Sequence, residues 1–193
     1  MLYGSIEHAH AEPFAEAIAR NAAFRAWVLR QTKFKQFADG ARLLDEEMKA
    51  KRSRFSTTWW RSHYTEACRC EGCSGQETDL LAVFEAQAGL RFALHVEVKQ
   101  PRDRFPAHKN QAGSYASRAA CWTTSPPKSV IRHSNAATLF LCSRTKLAKY
   151  KPHLSRFGSV ITFEDVAGWN GLSGLSDTDQ SAPKRYRQGI ARQ

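Results

Sequence analysis

Residues 77–99 read ETDLLAVFEAQAGLRFALHVEVK, and the pattern of this stretch determines the fold. After Gly89, Phe92, Leu94, Val96 and Val98 alternate with Arg91, Ala93, His95, Glu97 and Lys99, which is the period of two of a β-strand. ETDLLAVFEA, on the other side of the glycine, is a second strand candidate. With so few residues between them, the two are expected to pair as an antiparallel hairpin. PRDRFP (101–106) then ends the second strand, because proline cannot donate to a ladder.

Towards the C-terminus, HKNQAGSYASRAACW (108–122) suits a helix with Gln111, Tyr115, Arg118 and Trp122 near one face. TTSPPKS is a loop, and ATLFLC (137–142) is the continuous apolar run of a buried strand. A strand, helix, strand crossover makes it parallel to RFALHVEVK. Leu147, Tyr150, Leu154 and Phe157 mark a short helix, and SVITFEDV is a strand running into a turn or short helix. Towards the N-terminus, apolar residues recur at helical spacing from Glu12 to Phe37, with Pro13 in a first turn and a second helix following. Asp39-Gly40 breaks that pattern, ARLLDEEMKAKR (41–52) reads as another helix, and the segment with Trp59 and Trp60 as a short strand. The order implies an α/β domain with a mixed central sheet flanked by helices. Its expected parts are an N-terminal helical extension (1–52), an aromatic and Cys-rich segment (53–76), a core (77–168) and a flexible basic tail (169–193).

The chain has 193 residues, enough for one domain with a sizeable core, and is 42% hydrophobic, too apolar for disorder throughout. No stretch approaches the ~20 apolar residues of a membrane span. The first residues lack the charged and apolar regions of an export signal, so a cytoplasmic location is expected. Twenty-nine Lys and Arg against 18 Asp and Glu leave a formal charge of +11, which makes a polyanion, nucleic acid first, the expected partner.

Alternation places His95, Glu97 and Lys99 on one face of their strand, opposite Leu94, Val96 and Val98. Asp79, near the start of the preceding strand, lies across from the end that carries Glu97 and Lys99. Two carboxylates so placed are hard oxygen ligands for Mg²⁺ or Mn²⁺, and the lysine can orient water and stabilise negative charge on phosphorus. Phosphate-loop, dinucleotide-binding and nucleophile-elbow motifs are all missing from the sequence. A Cys121 nucleophile would need His95, His108 or His133 beside it.

Asp79 with Glu97-Val98-Lys99, followed by a helix bearing Gln111 and Tyr115, resembles the PD-(D/E)XK phosphodiesterase superfamily, which is mostly nucleases. The resemblance covers about residues 77–142 and implies a restriction-endonuclease-like αβββαβ core. It makes Asp79 and Glu97 ligands of Mg²⁺ or Mn²⁺, Lys99 the catalytic lysine, and Gln111 and Tyr115 supports for substrate or metal-bound water. Thr78 stands where the family's motif has proline. A further acid from an earlier helix often contributes, for which Glu16, Glu46 and Glu47 are candidates, and Glu77 could reach the site from its own strand. Arg118 is a phosphate-contact candidate, with Arg102, Arg104 and Lys109 beside it. The implied activity is metal-dependent hydrolysis of DNA, with a homodimer plausible for cutting duplex.

Cys68-x-Cys70-x-x-Cys73 supplies three soft ligands for a structural Zn²⁺, with His63, Cys121 or Cys142 as the fourth. Trp59 and Trp60 are core candidates, and their adjacency on a strand would turn one outwards. The basic runs 49–54 and 184–187 are candidate backbone contacts. The alternative reading is a non-catalytic, zinc-containing nucleic-acid-binding protein or complex subunit.

Overall fold

The hairpin forms the centre of the molecule. In the computed structural model, which describes residues 5–52, 58–64, 77–105 and 110–169, β3 (Glu77–Glu85) and β4 (Arg91–Lys99) pair antiparallel. Their register runs from Glu85↔Arg91 to Leu80↔Val96. The turn between them needs positive φ at Ala88 (63°) and Gly89 (75°), and glycine adopts that conformation without cost.

On its other edge β4 pairs parallel with β5 (Asn135–Cys142), from Phe92↔Asn135 to Lys99↔Cys142, as the crossover rule requires. Beyond β5, β6 (Ser159–Thr162) is parallel again. The outer edge of β3 is shared. β1 (Arg42–Leu43) pairs with its C-terminal end and β2 (Arg61–Tyr64) with its N-terminal half, both antiparallel. The result is a mixed sheet of six strands among the described residues.

Helices cover both faces. α1 (Ser5–Arg20), followed by α2 (Ala22–Arg30), packs on β3 and β4 and buries Ala11, Phe14, Ala15 and Ile18. α4 (Gln111–Thr124) packs on β5 and β4 from the opposite face. Each fully buried aromatic or aliphatic side chain stabilises this sandwich by about 1.5–3 kcal/mol. Phe92 sits at the middle of one such cluster, with ring centroids of Phe34, Phe84 and Phe37 at 4.4, 5.4 and 5.5 Å. Because both faces are covered, the polar face of β4 is enclosed as well: His95 and Glu97 are as buried as Leu94 and Val96. The short helices α3 (Asp45–Lys51), α5 (Leu147–Leu154) and α6 (Phe163–Ala167) complete the described chain. Among the described residues no helix is long and apolar enough to cross a membrane.

Three local expectations differ from the structure. Pro13 lies inside α1, two turns past its start, and burial of the residues around it outweighs the one lost backbone hydrogen bond. ARLLDEEMKAKR is helical only from Asp45, because the open edge of β3 recruits Arg42 and Leu43 into the sheet. Trp59 and Trp60 are both buried, since they precede β2 and so escape strand alternation. Residues 169–193 of the expected tail lie outside the described chain from 170 onwards, as does the segment 65–76.

Candidate metal centre

At the end of the hairpin near Lys99 the β3–β4 ladder gives way to side-chain bridges. The Asp79 N–H donates to Tyr115 Oη (3.1 Å), and that hydroxyl donates to the Val96 carbonyl (3.4 Å). The Asp79 carboxylate in turn accepts the Val98 N–H through Oδ2 (2.8 Å). A tyrosine from α4 thus wedges between the two strands where both site carboxylates stand. Its phenol lies within electrostatic reach of Asp79 and Glu97, and burial, reinforced by those charges, pushes its pKa well above the usual value. Tyr115 therefore works as a neutral donor at physiological pH. Replacing it with phenylalanine is expected to lower stability by about 1–3 kcal/mol, as the buried Asp79 amide and Val96 carbonyl lose this partner. Urea unfolding of Tyr115→Phe measures this, and a midpoint equal to that of the unsubstituted protein would remove the bridging role.

Glu97 is fully buried. Lys99 Nζ lies 2.5 Å from its Oε1, and the Tyr115 phenol also approaches this carboxylate. The Lys99 side chain is only 6% exposed, and its ammonium lies 5.3 Å from the centre of the Phe105 ring. Tyr150 stands nearby, donating to the Asp103 carbonyl (2.9 Å), and burial together with Asp103 pushes its pKa up to about 12. Neither Phe105 nor Tyr150 carries a sequence signal for this role, since both read as ordinary core aromatics.

The donor set fits a hard divalent ion. Among the described residues no three His, Cys, Asp or Glu side chains gather, and Asp79 and Glu97 are the two carboxylates that act on the Tyr115 phenol. Mg²⁺ is commonly held in that way, by one or two carboxylates with waters and substrate phosphate completing the shell. A buried carboxylate paired with one ammonium and approached by one phenol keeps further lone pairs that such an ion would take.

The other expected site residues divide. Gln111 is half-buried at the start of α4, one turn before Tyr115 on the same face, and makes no hydrogen bond to the carboxylates. Arg102 and Arg104 are exposed on the segment that leaves Lys99. Lys109 lies outside the described residues. Arg118 does not reach the surface. It is fully buried, with Nε donating to Thr78 Oγ1 (2.7 Å), Nη2 to the Glu77 carbonyl (3.0 Å), and its guanidinium 4.3 Å from the centre of the Tyr115 ring. It braces the start of β3 from the α4 side of the sheet, and its burial is at odds with the expected phosphate contact.

The helix acids are separated in the same way. Glu46 pairs with Lys49 (2.5 Å) and Glu47 with Arg91 (3.1 Å), at the end of the hairpin opposite Lys99. Glu16 is half-buried along α1. Glu77, at the first position of β3 and two residues from Asp79, is the one nearest in the chain.

Of the cysteines, Cys121 is disulfide-bonded and has no thiol for nucleophilic chemistry, while Cys142 is buried in the small core cluster with Phe140 and Tyr150. Cys68, Cys70 and Cys73 lie outside the described residues, and of His63 only its backbone on β2 is described. Comparison with protein-family models, with curated proteins and with solved structures finds no match.

Proposed function

We propose that this chain is a divalent-metal-dependent phosphodiesterase acting on nucleic acid, most readily DNA, on a restriction-endonuclease-like core. The observation that carries the proposal is the convergence of Asp79, Glu97 and Lys99 where Tyr115 opens the β3–β4 ladder. With α2, β1 and α3 as additions between them, the elements α1, β2, β3, β4, α4 and β5 follow in an order compatible with the αβββαβ arrangement that the resemblance implies. The formal charge of +11 supports a polyanionic substrate.

Asp79 and Glu97 would hold Mg²⁺ or Mn²⁺, which when bound supplies positive charge to the phosphoryl oxygens. Lys99 orients the attacking water and offers a buried cation to the charge that builds up on phosphorus. Phe105 and Tyr150 wall the ammonium off from solvent, which strengthens its field at the reacting atoms. Arg102 and Arg104, exposed just past Lys99, would meet the backbone.

Cleavage of labelled single-stranded and duplex DNA with Mg²⁺, Mn²⁺ or EDTA tests the proposal. Cutting is expected with either metal, absent in EDTA, and reduced at least ~10²-fold in Asp79→Ala with its fold intact by circular dichroism. No cutting of DNA or RNA, alongside tight, salt-sensitive binding that Asp79→Ala leaves unchanged, would turn the reading to a binding subunit.

A further inference from the structure

A basic cluster that the hydrolytic site leaves unused stands on the outer strand β2. Arg61 is in register with Leu80, one residue from Asp79, so its Cα lies about 6 Å from that of Asp79 by strand spacing and rise. Its side chain turns to the α1 face, where Nε donates to His8 Nε2 (3.1 Å). Among the described residues its two Nη atoms make no hydrogen bond and the guanidinium has no ion pair, and the residue is half-exposed.

His8 suits this contact because it is neutral. Burial first, and then the charge of Arg61, lower its pKa to about 4 against the opposing pull of Glu77. Its Nε2 lone pair is therefore available at physiological pH, and it fixes one edge of the guanidinium while the other edge stays unspent. Arg52 sits alongside. Its Nη1 donates to the carbonyls of Thr58 (2.9 Å), Trp59 (3.3 Å) and Arg61 itself, which ties down the chain from which Arg61 projects. Burial lowers the pKa of Arg52, and the two guanidiniums are close enough for the charge of Arg61 to add to that lowering. A fixed two-pronged donor with a second cation behind it is suited to a phosphate, which accepts paired N–H groups.

We propose that Arg61, fixed by His8 and backed by Arg52, binds a backbone phosphate of nucleic acid separate from the one that lies at Asp79 and Glu97. This rests on the nucleic-acid reading above but does not require hydrolysis. Arg61 and the carboxylates emerge on opposite faces of the sheet, so one phosphate cannot satisfy both, and the strand is gripped at two places.

Binding of a labelled DNA oligonucleotide to the full chain carrying Asp79→Ala, in EDTA over a potassium chloride series, provides the test. Adding Arg61→Gln is expected to weaken binding about tenfold and to reduce the slope of log affinity against log salt by about one. Adding Arg61→Lys instead is expected to keep the slope. In the unsubstituted protein, bound DNA is expected to shield Arg61 from phenylglyoxal, read by mass spectrometry, which needs no variant to fold. Parental affinity and slope in Arg61→Gln, or modification of Arg61 at the free rate with DNA bound, overturns the site. Cleavage is scored separately with Mg²⁺. Arg61-dependent binding without cleavage removes hydrolysis and leaves the phosphate site, whereas cleavage with Arg61-independent binding does the reverse.

Discussion

Lys99→Ala is expected to lose about 10²–10⁴-fold of metal-dependent cleavage, the range seen when a positioned proton-handling or charge-stabilising group is removed. It is also expected to cost about 3–5 kcal/mol of stability without metal, since breaking a buried pair strands the remaining charge. Both effects come from one contact: the ammonium lies 2.5 Å from Glu97, whose side chain is 0% exposed and which forms no second ion pair among the described residues. Two controls separate them. Glu97→Gln with Lys99→Ala removes the stranded charge and is expected to regain most of the stability but none of the cleavage. Mg²⁺ is expected to raise the urea midpoint of Lys99→Ala more than that of the unsubstituted protein, because the ion then replaces the missing cation. Cleavage within tenfold of the unsubstituted rate in Lys99→Ala would take the lysine out of the chemistry.

The sheet was legible because its central strands obey simple rules. Alternation marks β4, the short turn at Gly89 forces the antiparallel pairing, and an intervening helix forces β5 to be parallel. The same alternation places Glu97 and Lys99 side by side. What alternation cannot supply is depth. It orients the polar face of β4 but does not reveal that α4 seals it, which is why Glu97 is buried and Arg118 lies inside the molecule rather than on its surface. Helical spacing correctly groups Tyr115 with Arg118, yet a helix face packed on a sheet and one lining a cleft have the same period. The bond between His8 and Arg61 joins residues 53 apart, and no local pattern encodes it. Likewise the expected helix over residues 41–52 is sound in propensity and is overridden at Arg42 and Leu43 by an unfilled strand edge.

Arg118 carries the second large effect. Arg118→Ala is expected to destabilise the protein by about 3–5 kcal/mol, because it empties a large buried volume and removes the guanidinium hydrogen bonds to the Thr78 hydroxyl and the Glu77 carbonyl. Arg118→Met, which refills the volume but not the hydrogen bonds, is expected to recover a part of that loss, of the order of 1–2 kcal/mol. Activity should behave differently. Thr78 and Glu77 directly precede Asp79, so releasing them lets the carboxylate drift from the position that Tyr115 and the Val98 amide define. In Arg118→Met, kcat for DNA cleavage is therefore expected to fall with little change in KM, and to fall further than in a variant of equal stability loss on the far side of the sheet, such as Phe14→Leu. Equal losses of kcat in the two variants, matched for stability by urea unfolding, would mean that Arg118 supports the fold and does not position the site.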